Sequence, residues 1–309
     1  MTLLEIITAV CNELGLNAPT SVINSTDLQI KQLYALANRE GNELYRTHPW
    51  TFINREYIIN VEAPLTFTGD VTLGSTDILT MVPTTGAIEA NLMAVSGSGM
   101  PQSQRVTSIL SSDSVRCEME ATETEVGATL TFAKDTYGLP TDFDHYVSNT
   151  WWDRTNHWQL IGPISPQIDQ WQRSGIVATG PRLRWRQIGV QPNVFRLWPA
   201  PTAQTTPDAL VFEYISNGWV ENEAGTYQAS FTADTDVPLV NPQAMILGIK
   251  WRFWQIKGFD YAPFQAEYVD FVNREKARDG GMADLNMNNR PIPFLLGYGN
   301  VQDGNFPGS

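Results

Sequence analysis

The sequence predicts an α+β chain: a helical-bundle core with an antiparallel β-sheet, an inserted small all-β domain (barrel or sandwich) and an extended C-terminal arm. Three observations lead there. Apolar residues recur at helical spacing near both ends of residues 1–281, the stretch 64–135 shows no helical period, and the residues from 282 onward are too poor in apolar side chains to build a core.

The first helix rests on Leu3, Ile6, Ile7, Val10, Cys11 and Leu14, spaced i, i+3, i+4, i+7, i+8 and i+11, with Gly15 as its stop. Thr26 with Gln29 reads as a capping box opening a second helix, whose stripe is Ile30, Leu33, Ala37, Gly41 and Leu44. It ends at His48-Pro49, because the residue before a proline is forced out of the α region. From Trp50 to Val61, Phe52, Tyr57, Ile59 and Val61 alternate as in a strand.

Between Pro64 and Pro140, short runs of Thr, Val, Leu and Ile are separated by Gly, Ser and Asp, the cadence of a small β-barrel or sandwich. Residues 64–135 hold nine acidic residues against Arg105, Arg116 and Lys134, which is −6 of the chain's −13. Helix returns at 165–175, with Ser165 as N-cap, Pro166 at the first turn and Gly175 as its end. Residues 182–188, 193–198, 209–216 and 227–233 read as a four-stranded antiparallel sheet. Two helices follow, near 241–257 and 262–279, the last bearing Phe264, Tyr268, Phe271 and Val272 on one face and ending at Gly280-Gly281. The expected domains are a core at 1–63 plus 136–281, a β domain at 64–135 and an arm at 282–309, with the helices of the core packed together.

Composition excludes several classes. A 309-residue chain that is 42% hydrophobic and 11% aromatic can bury a sizeable core and is not a disordered one. With 20 Lys+Arg against 33 Asp+Glu it is not built to grip nucleic acid over a broad surface, though it could let DNA pass without holding it. Cys11 and Cys117 are the only cysteines, so no disulfide framework is expected. The N-terminal helix carries Glu5 and Glu13, unlike a signal peptide, and the apolar stretch Val237–Ile249 is broken by two prolines and a glycine. A soluble protein made in a reducing cytoplasm, with no membrane partner, is the expectation.

The catalytic inventory is thin, and no enzyme activity, metal or cofactor is expected. His48 sits where an imidazole can cap its helix's last carbonyls, and His145 and His157 have no partner at metal-ligand spacing. Glu118, Glu120, Glu123 and Glu125, like Asp234 and Asp236, lack the offsets and the glycine of a calcium loop. Residues 171–207 contain five arginines and no acid. Arg182, Arg184, Arg186 and Arg196 form a basic stripe suited to a phosphate backbone or, preferably in so acidic a chain, to an acidic surface on a neighbouring subunit. Nine of the ten tryptophans, from Trp151-Trp152, Trp158 and Trp171 through Trp254, could line a sugar groove, which makes a carbohydrate-binding tail or receptor-recognition component the competing reading.

The run His48-Pro49-Trp50-Thr51-Phe52 after two short helices resembles the HPWNFA-type segment of phage head-to-tail adaptor (connector) proteins. Leu139-Pro140-Thr141-Asp142-Phe143, Trp152-Asp153-Arg154-Thr155, Ile161-Gly162-Pro163 and Gly175–Gly180 continue the likeness. Phe212-Glu213-Tyr214, Trp219-Val220, Lys250-Trp251-Arg252-Phe253 and Lys257-Gly258-Phe259-Asp260-Tyr261 complete it in order, over most of the chain outside 64–135. The β insert is similar to a small module of phage structural proteins through Gly97–Pro101, Val106–Ile109 and Gly127–Phe132.

The resemblance to the tail-accessory or tail-tubular type implies a structural virion protein made in the host cytoplasm. Such proteins form a ring, usually of twelve copies, that links the portal to the tail or nozzle and surrounds passing double-stranded DNA. It also implies a C-terminal segment that reaches the portal, for which Phe294, Leu295, Leu296, Tyr298 and Phe306 are the anchors here.

Overall fold

The structure is a computed structural model that describes residues 1–174, 183–189, 194–201 and 208–279. The expected helix stops at Gly175 and Gly280-Gly281, and the arm 282–309, lie outside the described residues. Its helices are α1 (Leu3–Leu14), α2 (Leu28–Arg46), α3 (Pro166–Ser174), α4 (Pro242–Lys257) and α5 (Ala262–Arg278). After α2 come β1 (Asn54–Val61), β2 (Leu65–Val71), β3 (Asp77–Val82), β4 (Met93–Gly97), β5 (Met100–Ser111), β6 (Ser114–Cys117) and β7 (Glu125–Lys134). Short strands follow: β8 (Thr136–Gly138), β9 (Phe143–Tyr146), β10 (Trp152–Asp153) and β11 (Trp158–Gln159). Beyond α3 lie β12 (Arg184–Ile188), β13 (Val194–Trp198), β14 (Asp208–Ser216), β15 (Val220–Glu221), β16 (Tyr227–Gln228) and β17 (Val237–Pro238).

The chain forms two compact units. Among the described residues, one comprises 1–56, 141–147 and 213–279, and the other 57–140 with the described part of 148–212. In the first unit, Thr2 and Glu5 close a reciprocal capping box on α1, and Gly15 ends it in the left-handed conformation that glycine adopts without strain. The cap of α2 is Asp27, whose carboxylate accepts from the Gln29 amide at 2.8 Å, and not the expected Thr26–Gln29 box. α4 is buried on most of its circumference, from Ala244 through Phe253, as a helix surrounded by neighbours must be. Its neighbours in the apolar core are Leu3, Ile7 and Val10 of α1, Leu33, Ala37 and Leu44 of α2, and Trp219 and Phe231 from the chain beyond β14. Burial of each such large side chain contributes about 1.5–3 kcal/mol.

The second unit contains a closed six-stranded barrel in the order β2-β3-β6-β5-β4-β7, all pairs antiparallel. Its inward faces supply Phe67, Ile78, Val95, Val106, Val115, Leu130 and Phe132, with the Phe67 and Phe132 rings edge to face at 5.1 Å. Closure leaves no strand edge unpaired. At Gly97, with φ at +156°, a Cβ would collide with the Thr129 carbonyl across the β4–β7 pair, so the close approach needs glycine.

A helical-bundle core does not form, and that expectation is corrected. Among the described residues strand outweighs helix, 34% against 30%, and the α-helices number five. α3 was expected to pack with the other helices, yet it lies in the second unit, where its Asp169 pairs with Arg186 of β12. The four stretches expected in one sheet are also dispersed. β12 and β13 join β8, β14 runs with β1, β10, β11 and β9, and β16 joins β15 and β17. The reason is physical: alternation marks a segment as a strand, but backbone hydrogen bonding is satisfied by whichever strand lies alongside. Trp50–Val61 likewise begins as a single 3-10 turn, Thr51–Ile53, before β1 starts.

Candidate functional site

The His48–Phe52 run contributes Trp50 and Phe52 to a cavity of about 460 Å³ in the first unit. Its walls are Leu44 of α2, Trp50 and Phe52, the start of α4 with Val240, Pro242 and Ala244, and the end of α5. Trp50 is locked in place: its indole nitrogen donates to the Leu44 carbonyl at 2.8 Å, and its ring stacks on Phe52 at 5.6 Å. His48 does not cap its own helix. The Thr47 hydroxyl takes the Leu44 carbonyl, while His48 Nε2 sits 3.3 Å from Asp279.

Asp279 closes the arrangement. Its carboxylate accepts from the Thr51 amide at 3.0 Å and the Thr51 hydroxyl at 2.6 Å, tying the end of α5 to the turn after α2. Glu275 accepts from the side-chain amide of Asn241, the α4 N-cap, at 3.0 Å. The result is an apolar floor with Asn241, Glu275, Arg278 and Asp279 at the polar rim.

The basic stripe is placed on β12 and β13 of the second unit. Arg184 and Arg186 share one face of β12, with the buried Trp185 on the other, and Arg186 stands directly opposite Arg196. Two like charges at facing positions repel unless each has a counter-ion. Arg186 has Asp169 at 2.7 Å, and Arg196 has Asp135 at 4.0 Å. Arg182 lies outside the described residues, as do Phe294, Leu295, Leu296, Tyr298 and Phe306.

The barrel's three bases are each occupied by a carboxylate: Arg105 by Asp135, Arg116 by Asp77, and Lys134 by Glu62 and Glu89. Its unspent negative charge gathers on the 118–125 segment, where Glu118, Glu120 and Glu123 are exposed. Both cysteines are buried, and burial pushes the Cys117 thiol up to about 12. Among the described residues no group of three His, Cys, Asp or Glu is placed to hold a metal ion, and no helix is long and apolar enough to cross a membrane.

Many residues of the adaptor-like segments serve packing. Trp151 is sandwiched between Trp185 and Phe212, each ring 4.0 Å away. Asp153 accepts from the amides of Thr155 and Asn156, both at 2.9 Å, and Tyr214 donates to Asp142 at 3.0 Å. Sequence reasoning missed Asp279, Asp169 and Glu40, acids near or within helices whose partners lie beyond the reach of a helical period, 17 to 228 residues away. Compared with known proteins, the chain matches no family profile, and no curated protein is similar enough to count as a relative.

Proposed function

We propose that this chain is a phage head-to-tail adaptor, a structural protein that assembles as a ring, of about twelve copies by its resemblance, between portal and tail or nozzle. It acts by position and not by catalysis, within the virion, and double-stranded DNA passes through its lumen without specific binding. The ordered adaptor-like segments support the reading, and so does the place of the first of them. The His48–Phe52 run forms the seat from which α5 hands the chain on to its C-terminal residues, the part expected to meet the portal. Internal pairing of the barrel bases leaves that module acidic, which disfavours sticky contact with phosphates.

The carbohydrate-binding alternative loses its platform. Of the ten tryptophans only Trp158 and Trp171 are exposed, at 40% and 68%, and six are buried in cores. A sugar groove needs several aromatic faces open to solvent together.

Negative-stain imaging of the purified protein, with and without portal protein, tests the adaptor reading. Rings in either condition are expected, and their absence in both would refute it. Deleting residues 297–309, or changing Phe294 and Leu296 to Ser, should abolish portal docking while the far-ultraviolet spectrum stays that of the intact chain.

A further inference from the structure

We propose that copies of this chain meet head to tail, the outward face of α3 on one copy lying against the barrel wall around β3 and β5 on the next. The inference deepens the ring reading, on which it rests for a repeated contact between copies, and it names the two faces that meet. Both belong to the second unit.

The first face is a helix turned inside out. Along α3 the polar Asp169 and Gln172 are buried, whereas Ile168 and Trp171, three residues apart, are 46% and 68% exposed. A helix that meets only solvent on its outer side does the reverse. The orientation is fixed from within: Asp169 pairs with Arg186 of β12 at 2.7 Å, and at the helix start the Ser165 hydroxyl accepts from the Ile168 amide at 3.2 Å. Ile161, also exposed, is held on β12 by backbone hydrogen bonds with Leu183 and Trp185. Large apolar side chains kept this firmly in solvent mark a contact surface.

The second face is on the barrel, where Leu79 and Val82 of β3 and Ile109 and Leu110 of β5 are exposed on the two strands that flank β6. Charge selects a second copy as the occupant. Two copies at −13 each repel wherever like charges face one another, so they meet best through surfaces that carry none. From Trp158 to Gln172 the only charged residue is the buried Asp169. On the barrel wall Arg116 of β6 and Asp77 of β3 cancel each other at 2.7 Å, and Asp113 of the β5–β6 turn adds one charge. Because the two faces differ, the contact is heterologous: it repeats from copy to copy and closes as a ring where the rotation allows.

Sedimentation velocity of the full-length chain at rising concentration tests the contact. The wild type should self-associate, and Trp171→Glu and Val82→Glu should each weaken that association about tenfold or more. An equimolar mixture of the two variants should recover association and stop at dimers, since each keeps the face the other has lost. Both side chains are exposed, so the urea midpoints should stay at the wild-type value. If either glutamate lowers its midpoint, Trp171→Gln and Val82→Thr carry the same test. A wild type that stays monomeric up to about 1 mM overturns the proposal, as does a mixture no more associated than its components. Val82→Glu associating as the wild type does would mean that α3 meets another surface, and overturns it too. Each of these outcomes leaves the adaptor reading to the experiment with portal protein. Dimers in the mixture without rings beside portal would sink the adaptor reading and leave this contact standing.

Discussion

Arg252 of α4 donates through Nε to Glu40 of α2 at 2.5 Å, with the two side chains only 5% and 0% exposed. A second guanidinium nitrogen reaches Glu43 at 2.6 Å, so one arginine holds two carboxylates of α2, one buried and one at the surface. Gly248 of α4 lies so close to Glu40 that any Cβ there would overlap its carboxyl group. Ion pair and glycine together set how closely α2 and α4 approach. Arg252→Met should cost about 3–5 kcal/mol, because it leaves the Glu40 charge buried without its partner. Urea unfolding measures this, and a loss below about 1 kcal/mol would contradict it.

The same cluster predicts a pH signature. Burial pushes the Glu40 carboxyl above its ordinary value of 4.5, with Arg252 pulling the other way. A raised value means the folded chain holds that proton more tightly than the unfolded chain does. The stability Glu40 contributes is therefore lost as pH rises from 4.5 through its folded-state value. Glu43 has the opposite sign: although burial raises it, Arg39 and Arg252 hold it below 4.5, so its contribution is present above that value and lost as pH falls. In Glu40→Gln only the second behaviour survives. Its urea midpoint should gain on that of the wild type as pH rises above 4.5, and a constant difference would refute the assignment.

Gly41 on α2 faces the buried ring of Trp219, which occupies the place a Cβ would take. Gly41→Ala should destabilise by about 1–3 kcal/mol through overpacking, despite alanine's better helix propensity. Combining it with Trp219→Leu should cost less than the sum of the single changes, because the smaller side chain makes room. Additive losses in a double-mutant cycle would argue against the collision.

Trp151→Ala removes the middle ring of the Trp185–Trp151–Phe212 stack. A loss of about 3–5 kcal/mol is expected, accompanied by loss of near-ultraviolet circular dichroism from the coupled indoles. Unchanged near-ultraviolet signal in a folded variant would mean the stack does not persist in solution.

The arginine stripe separates into two roles. Arg186→Gln removes the ion pair of Asp169, whose side chain is 3% exposed, and should destabilise by about 1–3 kcal/mol. Arg184→Gln should stay within about 0.5 kcal/mol of wild type. If the stripe meets an acidic neighbour, Arg184→Glu lowers ring formation with the fold intact. Rings forming equally well in that variant would remove Arg184 from the contact.

The local patterns carried much of this protein without the structure. The stripe Leu3, Ile6, Ile7, Val10 and Cys11 is the buried face of α1, since a 3.6-residue period puts those side chains on one side regardless of what covers them. The Gly, Ser and Asp punctuation of 64–135 separates strands for an equally local reason. Tertiary structure alone decided which strands pair, that β12 and β13 take β8 while β14 takes β1 and β10, and that no helical bundle forms. It alone brought Asp279 to Thr51, Asp169 to Arg186 and Arg252 to Glu40. Such pairs join residues whose sequence separation carries no period, and a charged side chain looks the same in a sequence whether it faces water or a buried partner.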